Sequence, residues 1–276
     1  MKNLMQNFKN YPLFLGLFFL SISVTSCDDD DDGDIIDPGS EATISAQAQV
    51  VSQNMVLIDN IMLDEDAWLV VKKVNDDGSY SDLIAEPMLL EEGNHTDILV
   101  ELKYSGTEDI ALESGDTIIF QLHRDDGDGV FEFSGDTGED KLLKDSLGSA
   151  IHEEIVITAP TFTISDQTVM DNSVTFDNIT VANNGWIVVH NSHEDGSINE
   201  ADIVGYTYVP MGSTDDVVVT FDEEFIYVPG QTIYTKWYLD DPADEVFTFL
   251  EDPLTDVADF FGFGDDNTIW DSIVIE

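Results

Sequence analysis

The chain repeats itself at a spacing of 118 residues, and this period constrains its fold more than any other feature. The stretch QVVSQNMVLIDNI starting at Gln49 aligns with QTVMDNSVTFDNI starting at Gln167, with seven of thirteen positions identical. The same offset maps Trp68-Leu-Val-Val onto Trp186-Ile-Val-Val and Asp77-Gly78-Ser79 onto Asp195-Gly196-Ser197. After small insertions and deletions, Gly115-Asp-Thr-Ile matches Gly230-Gln-Thr-Ile, and Phe131-Glu-Phe matches Phe247-Thr-Phe. The offset of 118 returns where Ile155-Val-Ile meets Ile273-Val-Ile. A period this long exceeds any solenoid or propeller unit, so the sequence predicts two whole domains in tandem, over residues 42–158 and 159–276. Each is expected to fold alone.

Within each copy the local signals are those of strands. Residues 56–61, 68–74, 98–102, 117–122 and 131–133 are short runs rich in β-branched and aromatic residues, separated by Gly, Asp, Asn and Ser clusters. Asp77-Gly78 and Asp195-Gly196 read as hairpin turns, because Gly accepts the positive φ such turns demand. Only 140–149 and 252–261 carry helical tendency. The expected fold class is all-β: two antiparallel, Ig-like β-sandwiches of about seven strands each.

The N-terminus gives an address. Lys2 and Lys9 open a short positive segment, residues 11–24 (YPLFLGLFFLSISV) form an apolar run of signal-peptide length, and Val24-Thr25-Ser26-Cys27 closes it. The run is too short for a comfortable membrane span. Its last four residues resemble a bacterial lipobox, whose cysteine receives palmitate-type lipid, and Cys27 is the chain's single cysteine. The five aspartates at 28–32 are similar to the acidic surface-export tag of Bacteroidota lipoproteins. Residues 1–26 are therefore expected to be a lipoprotein signal peptide, and 27–41 a lipidated, self-repelling tether. The resemblance implies an outer-membrane lipoprotein facing the cell exterior, held to the membrane through Cys27.

Charge narrows the partners. The formal net charge is −49, and loss of Lys2 and Lys9 with the signal takes it to −51, with seven Lys and Arg residues left. Disorder is the first reading of such a charge. Yet 42% of residues are hydrophobic and 10% aromatic, so folded cores under an acidic shell are expected. That shell repels nucleic acid and anionic headgroups and attracts cations. With one cysteine, no disulfide can form within the chain.

The densest set of ligand atoms lies between His123 and Glu132, where Asp125, Asp126, Asp128 and Glu132 offer hard oxygens on a glycine-bent loop, the chemistry of Ca2+. It is not an EF-hand loop, because setting Asp128-Gly129 at the usual Asp-Gly step puts Arg124 in the first ligand position. An exposed acidic turn between two strands is the competing reading. His190 and His193 have a spacing open to a two-imidazole metal site or to a solvated hairpin end. Trp68 and Trp186, repeated in both copies, are expected in the core. Trp237 and Trp270 belong to the second copy alone, replacing Leu122 and His152. With Tyr206, Tyr208, Tyr234 and Tyr238 they form either an aromatic platform for a sugar ring or a mixture of core and incidental surface. The sequence has no nucleophile elbow, phosphate-cradling glycine loop, HExxH or dinucleotide fingerprint, and carboxylate pairs carry no information among 58 acidic residues. Catalysis is not expected.

The order of elements resembles an uncharacterised β-sandwich domain seen in surface proteins of halophilic archaea and in some bacterial lipoproteins. Its marks here are the Gln…Val…Asp-Asn-Ile strand, the Trp-hydrophobic-Val-Val strand, the Asp-Gly-Ser turn and the acidic loop before Phe-x-Phe, spread over residues 42–276. The resemblance implies the sandwich fold and no particular activity. In the second copy the acidic loop runs Asp240-Asp-Pro-Ala-Asp-Glu-Val-Phe and has no glycine, which sets it apart from the first. The expected function is a lipid-anchored structural, adhesive or binding module of the cell surface, stabilised by Ca2+ and meeting cations or a cell-surface protein. The alternative is a glycan-binding accessory lipoprotein of a polysaccharide-uptake system.

Overall fold

Apolar residues at alternating positions give most strands one hydrophobic face, and such faces close on one another twice along the chain. The computed structural model describes residues 39–103, 111–132, 140–263 and 268–276. The signal segment, Cys27, the aspartates at 28–32 and Phe133 lie outside the described residues. The first half contributes β1 (Thr43–Ser45), β2 (Gln49–Val50), β3 (Met55–Leu63), β4 (Ala67–Val74), β5 (Tyr80–Leu83), β6 (Met88–Leu90), β7 (Gly93–Glu101), β8 (Thr117–Arg124) and β9 (His152–Thr158). The second contributes β10 (Thr161–Thr163), β11 (Ser173–Val181), β12 (Gly185–Ser192), β13 (Ile198–Val209), β14 (Gly212–Thr220), β15 (Thr232–Leu239) and β16 (Trp270–Val274).

In the first half, sheet β1-β3-β7 packs on sheet β2-β9-β8-β4-β5, with β6 paired to β4. In the second, β10-β11-β14 packs on β13-β12-β15-β16. The fold is the all-β, two-sandwich architecture expected. One core gathers Val56, Ile58, Leu69, Phe120 and Ile155; the other gathers Val174, Phe176, Ile187, Trp237 and Ile273.

Strands β4 and β12 depart from alternation. Residues 67–71 and 185–190 are buried without a break, which a strand tolerates only when both its faces are covered. The inner face meets the opposite sheet. The outer face lies under described parts of a long excursion, residues 125–132 and 140–151 between β8 and β9 and residues 240–263 and 268–269 between β15 and β16. Phe131 of the first excursion packs at a tilt on Trp68, ring centroids 5.7 Å apart, while Phe247, Phe249 and Ala258 of the second cover Trp186, Val188 and Tyr238. The helical tendency of 140–149 and 252–261 is not realised, because each segment runs flat along a strand instead: Leu142 bridges His123 and Ala258 bridges Tyr238. Nor do Phe131 and Glu132 begin the expected strand at 131–133, since the Phe131 ring turns in towards Trp68.

The Asp-Gly turns form as read. Gly78 and Gly196 stand at φ 80° and 84°, and Ser79 N and Ser197 N donate to Asp77 Oδ1 and Asp195 Oδ1 at 2.9 and 3.0 Å. A second matched pair carries no glycine to announce it. Gln53-Asn54 and Asp171-Asn172 have positive φ at both residues, with Met55 N donating to Ser52 O at 2.9 Å and Ser173 N to Met170 O at 3.0 Å, as in a type I′ turn.

Contact between the sandwiches is one-sided. The 52–54 turn of the first receives residues 259–263 of the second: Gln53 N donates to Phe260 O at 3.1 Å, Asn54 Nδ2 to Gly262 O at 2.8 Å, and Gly262 N to Asn54 Oδ1 at 2.8 Å. Phe261 and Phe263 then pack on the first core, with Gly262 against the Leu112 carbonyl of the loop before β8. In the second sandwich the corresponding loop, before β15, packs its own Phe225 and Tyr227 on the core.

Candidate functional site

Each excursion is tied down by one fully buried aspartate. Asp140 accepts from Asp126 N at 3.4 Å and Glu132 N at 2.5 Å; Asp256 accepts from Asp241 N at 3.2 Å, Thr248 N at 2.5 Å and the Thr248 hydroxyl at 2.8 Å. In the repeat alignment these are the same bonds. A carboxylate held by backbone N–H groups is well satisfied without a cation, so both aspartates are frames for their loops.

On the first frame, one carboxylate oxygen each of Asp125, Asp126 and Asp128 converge to within 4.8 Å of one another. Trp68 Nε1 donates to Asp125 Oδ1 at 3.1 Å, so a β4 tryptophan positions the first acid. Gly127 and Gly129, at φ 101° and 70°, bend the chain, and Asp126 Oδ1 and Asp128 Oδ1 accept from Asp128 N and Val130 N at 3.1 and 2.8 Å. Arg124 is held bidentately by Glu65 at 2.7 and 2.8 Å. Glu132, expected as a fourth ligand, is not among the converging groups; its N–H is pinned to Asp140, and Phe131 before it is drawn in to Trp68. In the second loop Asp240 is mostly buried, and its Oδ1 accepts from Asp244 N and Glu245 N at 3.4 and 3.2 Å. No second three-acid group forms among the described residues.

Trp237 drops out of the expected sugar platform, being fully buried in the second core. A Cβ added at Gly185 would meet Trp237 Cζ2 at 2.6 Å and Tyr238 O at 2.2 Å. The first copy has Ala67 and Leu122 at these two positions, so the second exchanged Ala plus Leu for Gly plus Trp at similar total volume. That paired exchange is readable in the repeat alignment and marks Trp237 as core. Tyr238 is buried too, and Tyr208 packs beside it with Trp186, Phe247 and Phe249. Trp270 remains at the surface, 52% exposed, its ring 5.8 Å from that of Tyr234.

The histidines are not brought together. His190 is fully buried with Nε2 3.3 Å from the Tyr238 hydroxyl, whereas His193 sits in the exposed Asp-Gly turn. Burial, with the Lys236 charge nearby, depresses His190 to about 4. Burial also lowers His123, whose ring meets Phe131 edge-on at 5.6 Å. Lys236 is itself buried and bound to Glu200. Sequence reasoning missed Asp140 and Asp256 among 58 acids; their common offset from Phe131 and Phe247 is the signal that singles them out.

A family model described as Domain of unknown function (DUF7282) matches residues 42–158 and again 160–261. Comparison with the curated proteins gives no match. Among solved structures, the chain is similar to a tetra-tandem repeat in the extending region of a large adhesion protein, at 10% identity and a TM-score of 0.23, covering 86% of this chain and 50% of that one. The chain thus spans about half the length of that relative. It is also similar to CBD12 from CALX1.2, at 9% identity and a TM-score of 0.22, covering 75% and 84% of the two chains. A third similar structure is the calcium binding domain CBD12 of CALX1.1, at 9% identity and a TM-score of 0.23, covering 86% and 100%. Likeness at this level carries no ligand or activity from those proteins to this chain.

Proposed function

The chain belongs to the family described as Domain of unknown function (DUF7282) and carries its domain in tandem, and from that premise we propose a non-catalytic structural or binding module of the cell surface whose first sandwich takes Ca2+. A lipid on Cys27 holds it to the outer membrane, and the aspartates at 28–32 space it outward. The observation that carries the reading is the convergence of Asp125, Asp126 and Asp128 within 4.8 Å on a glycine-bent loop. Each pair of unit charges at such a distance repels by about 1 kcal/mol even in water-like surroundings, a cost a divalent cation reverses.

Melting curves test the cation. Millimolar Ca2+ is expected to raise the melting temperature beyond NaCl of equal ionic strength, by about 2.7 kcal/mol of stabilisation at a hundred times the dissociation constant. Asp126→Asn with Asp128→Asn should remove that increment. A Ca2+ effect no larger than matched NaCl leaves an acidic turn and no site. For the anchor, Cys27→Ser is expected to abolish labelled-palmitate incorporation, and equal labelling of the variant would refute it. A glycan-binding reading retains one feature, the half-exposed Trp270 beside Tyr234.

A further inference from the structure

The segment joining the sandwiches carries a group that its counterpart lacks. Position 259 corresponds to 143: Asp259 N donates to Trp237 O at 2.9 Å as Leu143 N does to Leu122 O at 2.8 Å, and Asp259 O accepts from Ile269 N as Leu143 O does from Ile151 N. Leu143 fills its own core. Asp259 instead lies fully buried at the contact with the first sandwich. Its Oδ1 accepts from Gln53 N at 2.9 Å and Phe260 N at 2.8 Å, while Oδ2 is buried and closes no hydrogen bond. The Ser52 hydroxyl lies near enough to favour the charged form in part, without completing a bond to Oδ2.

No charged side chain of the described residues acts on Asp259. The 52–54 turn is uncharged, Phe260 and Ile269 are apolar, and Lys236 on the adjoining strand is bound to Glu200. Burial therefore dominates and pushes Asp259 up to about 6, since a bare buried oxygen disfavours the ionised form.

We propose that residues 259–263 are a pH-sensitive latch between the two sandwiches, closed in acid when Asp259 is protonated and weakened at neutral pH when it is charged. When the latch opens, Asp259 returns to water and to an ordinary carboxylate affinity for protons. The closed form binds the proton more tightly, so its extra stability is complete below about pH 4 and is lost as pH rises through about 6. Opening also withdraws Phe261 and Phe263 from the end of the first core.

Amide hydrogen exchange on the full chain, corrected for intrinsic rate at each pH, reads the latch directly. Between about pH 4.5 and pH 7, protection of Gln53 and Gly262 is expected to fall on the order of tenfold relative to Ile58 and Ile187 in the strands. Asp259→Asn should hold both amides near their acid level at either pH. Asn54→Ala, which removes the Gly262 bonds, should lower protection of Gln53 at both. No fall in the parent relative to the strands overturns the proposal, as does an undiminished fall in Asp259→Asn. If Asp259→Asn does not fold, the parent series and Asn54→Ala decide it on the same amides.

Discussion

The two sandwiches share a plan down to single hydrogen bonds, yet they are closed at one end in different ways. The second packs Phe225 and Tyr227 from its own loop on a core that includes Trp237, whereas the first, with Leu112 of its own loop, also takes Phe261 and Phe263 from its neighbour. At position 143 the first uses a leucine for its own interior, and at 259 the second uses an aspartate to reach outward. Duplicating the fold therefore did not duplicate its packing: the strands and loop frames were kept, while the means of sealing the core diverged.

The largest effect should come from Phe261→Ala combined with Phe263→Ala. Full burial of a phenylalanine would make each truncation worth about 3–5 kcal/mol, and half-burial reduces the pair to roughly 3–4 in total. The loss should fall on the first sandwich and leave the second within about 0.5 kcal/mol. Exchange of β3 amides against β11 amides in denaturant separates the two, and equal losses would break the comparison.

Next come the loop frames, which the two copies share. Asp140→Ala and Asp256→Ala should each cost about 2–3 kcal/mol by leaving two backbone N–H groups unpaired, with Asp256 the costlier because it also holds the Thr248 hydroxyl. Urea midpoints followed by tryptophan fluorescence would register both. A negligible change in either would mean that its excursion is held by the aromatic packing alone.

The smallest effect is the pH dependence that His190 gives to the second sandwich. His190 is depressed to about 4, so it adds stability above about 6.5 that is lost as pH falls through 4, on the order of 2 kcal/mol by pH 4.5. This runs opposite to the Asp259 contact, which strengthens in acid. The first copy has Lys72 at the position of His190. His190→Gln should flatten the acid loss of the second sandwich, measured by its strand amides, and leave the first unchanged; an acid loss that persists in the variant assigns it to other groups.

Several features were legible in the residues themselves: the tandem period, the strands, the Asp-Gly turns and the burial of Trp68 and Trp186, although both tryptophans lie on the outer faces of β4 and β12 under the excursions and not in the core between the sheets. Each is local, written in alternation, in turn chemistry or in self-similarity, and so survives without knowledge of the partners. The type I′ turn at Gln53-Asn54 was hidden because no glycine marks it, and Trp237 was left open between a platform and the core because a strand side chain faces core or solvent according to register. The function of individual acids was decided by tertiary structure alone. Among 58 carboxylates, Asp140 and Asp256 are buried frames, Asp125, Asp126 and Asp128 converge, and Asp259 meets an amide 206 residues away. Burial and convergence arise from chain segments that only folding brings together, and they, more than residue type, set what a carboxylate does.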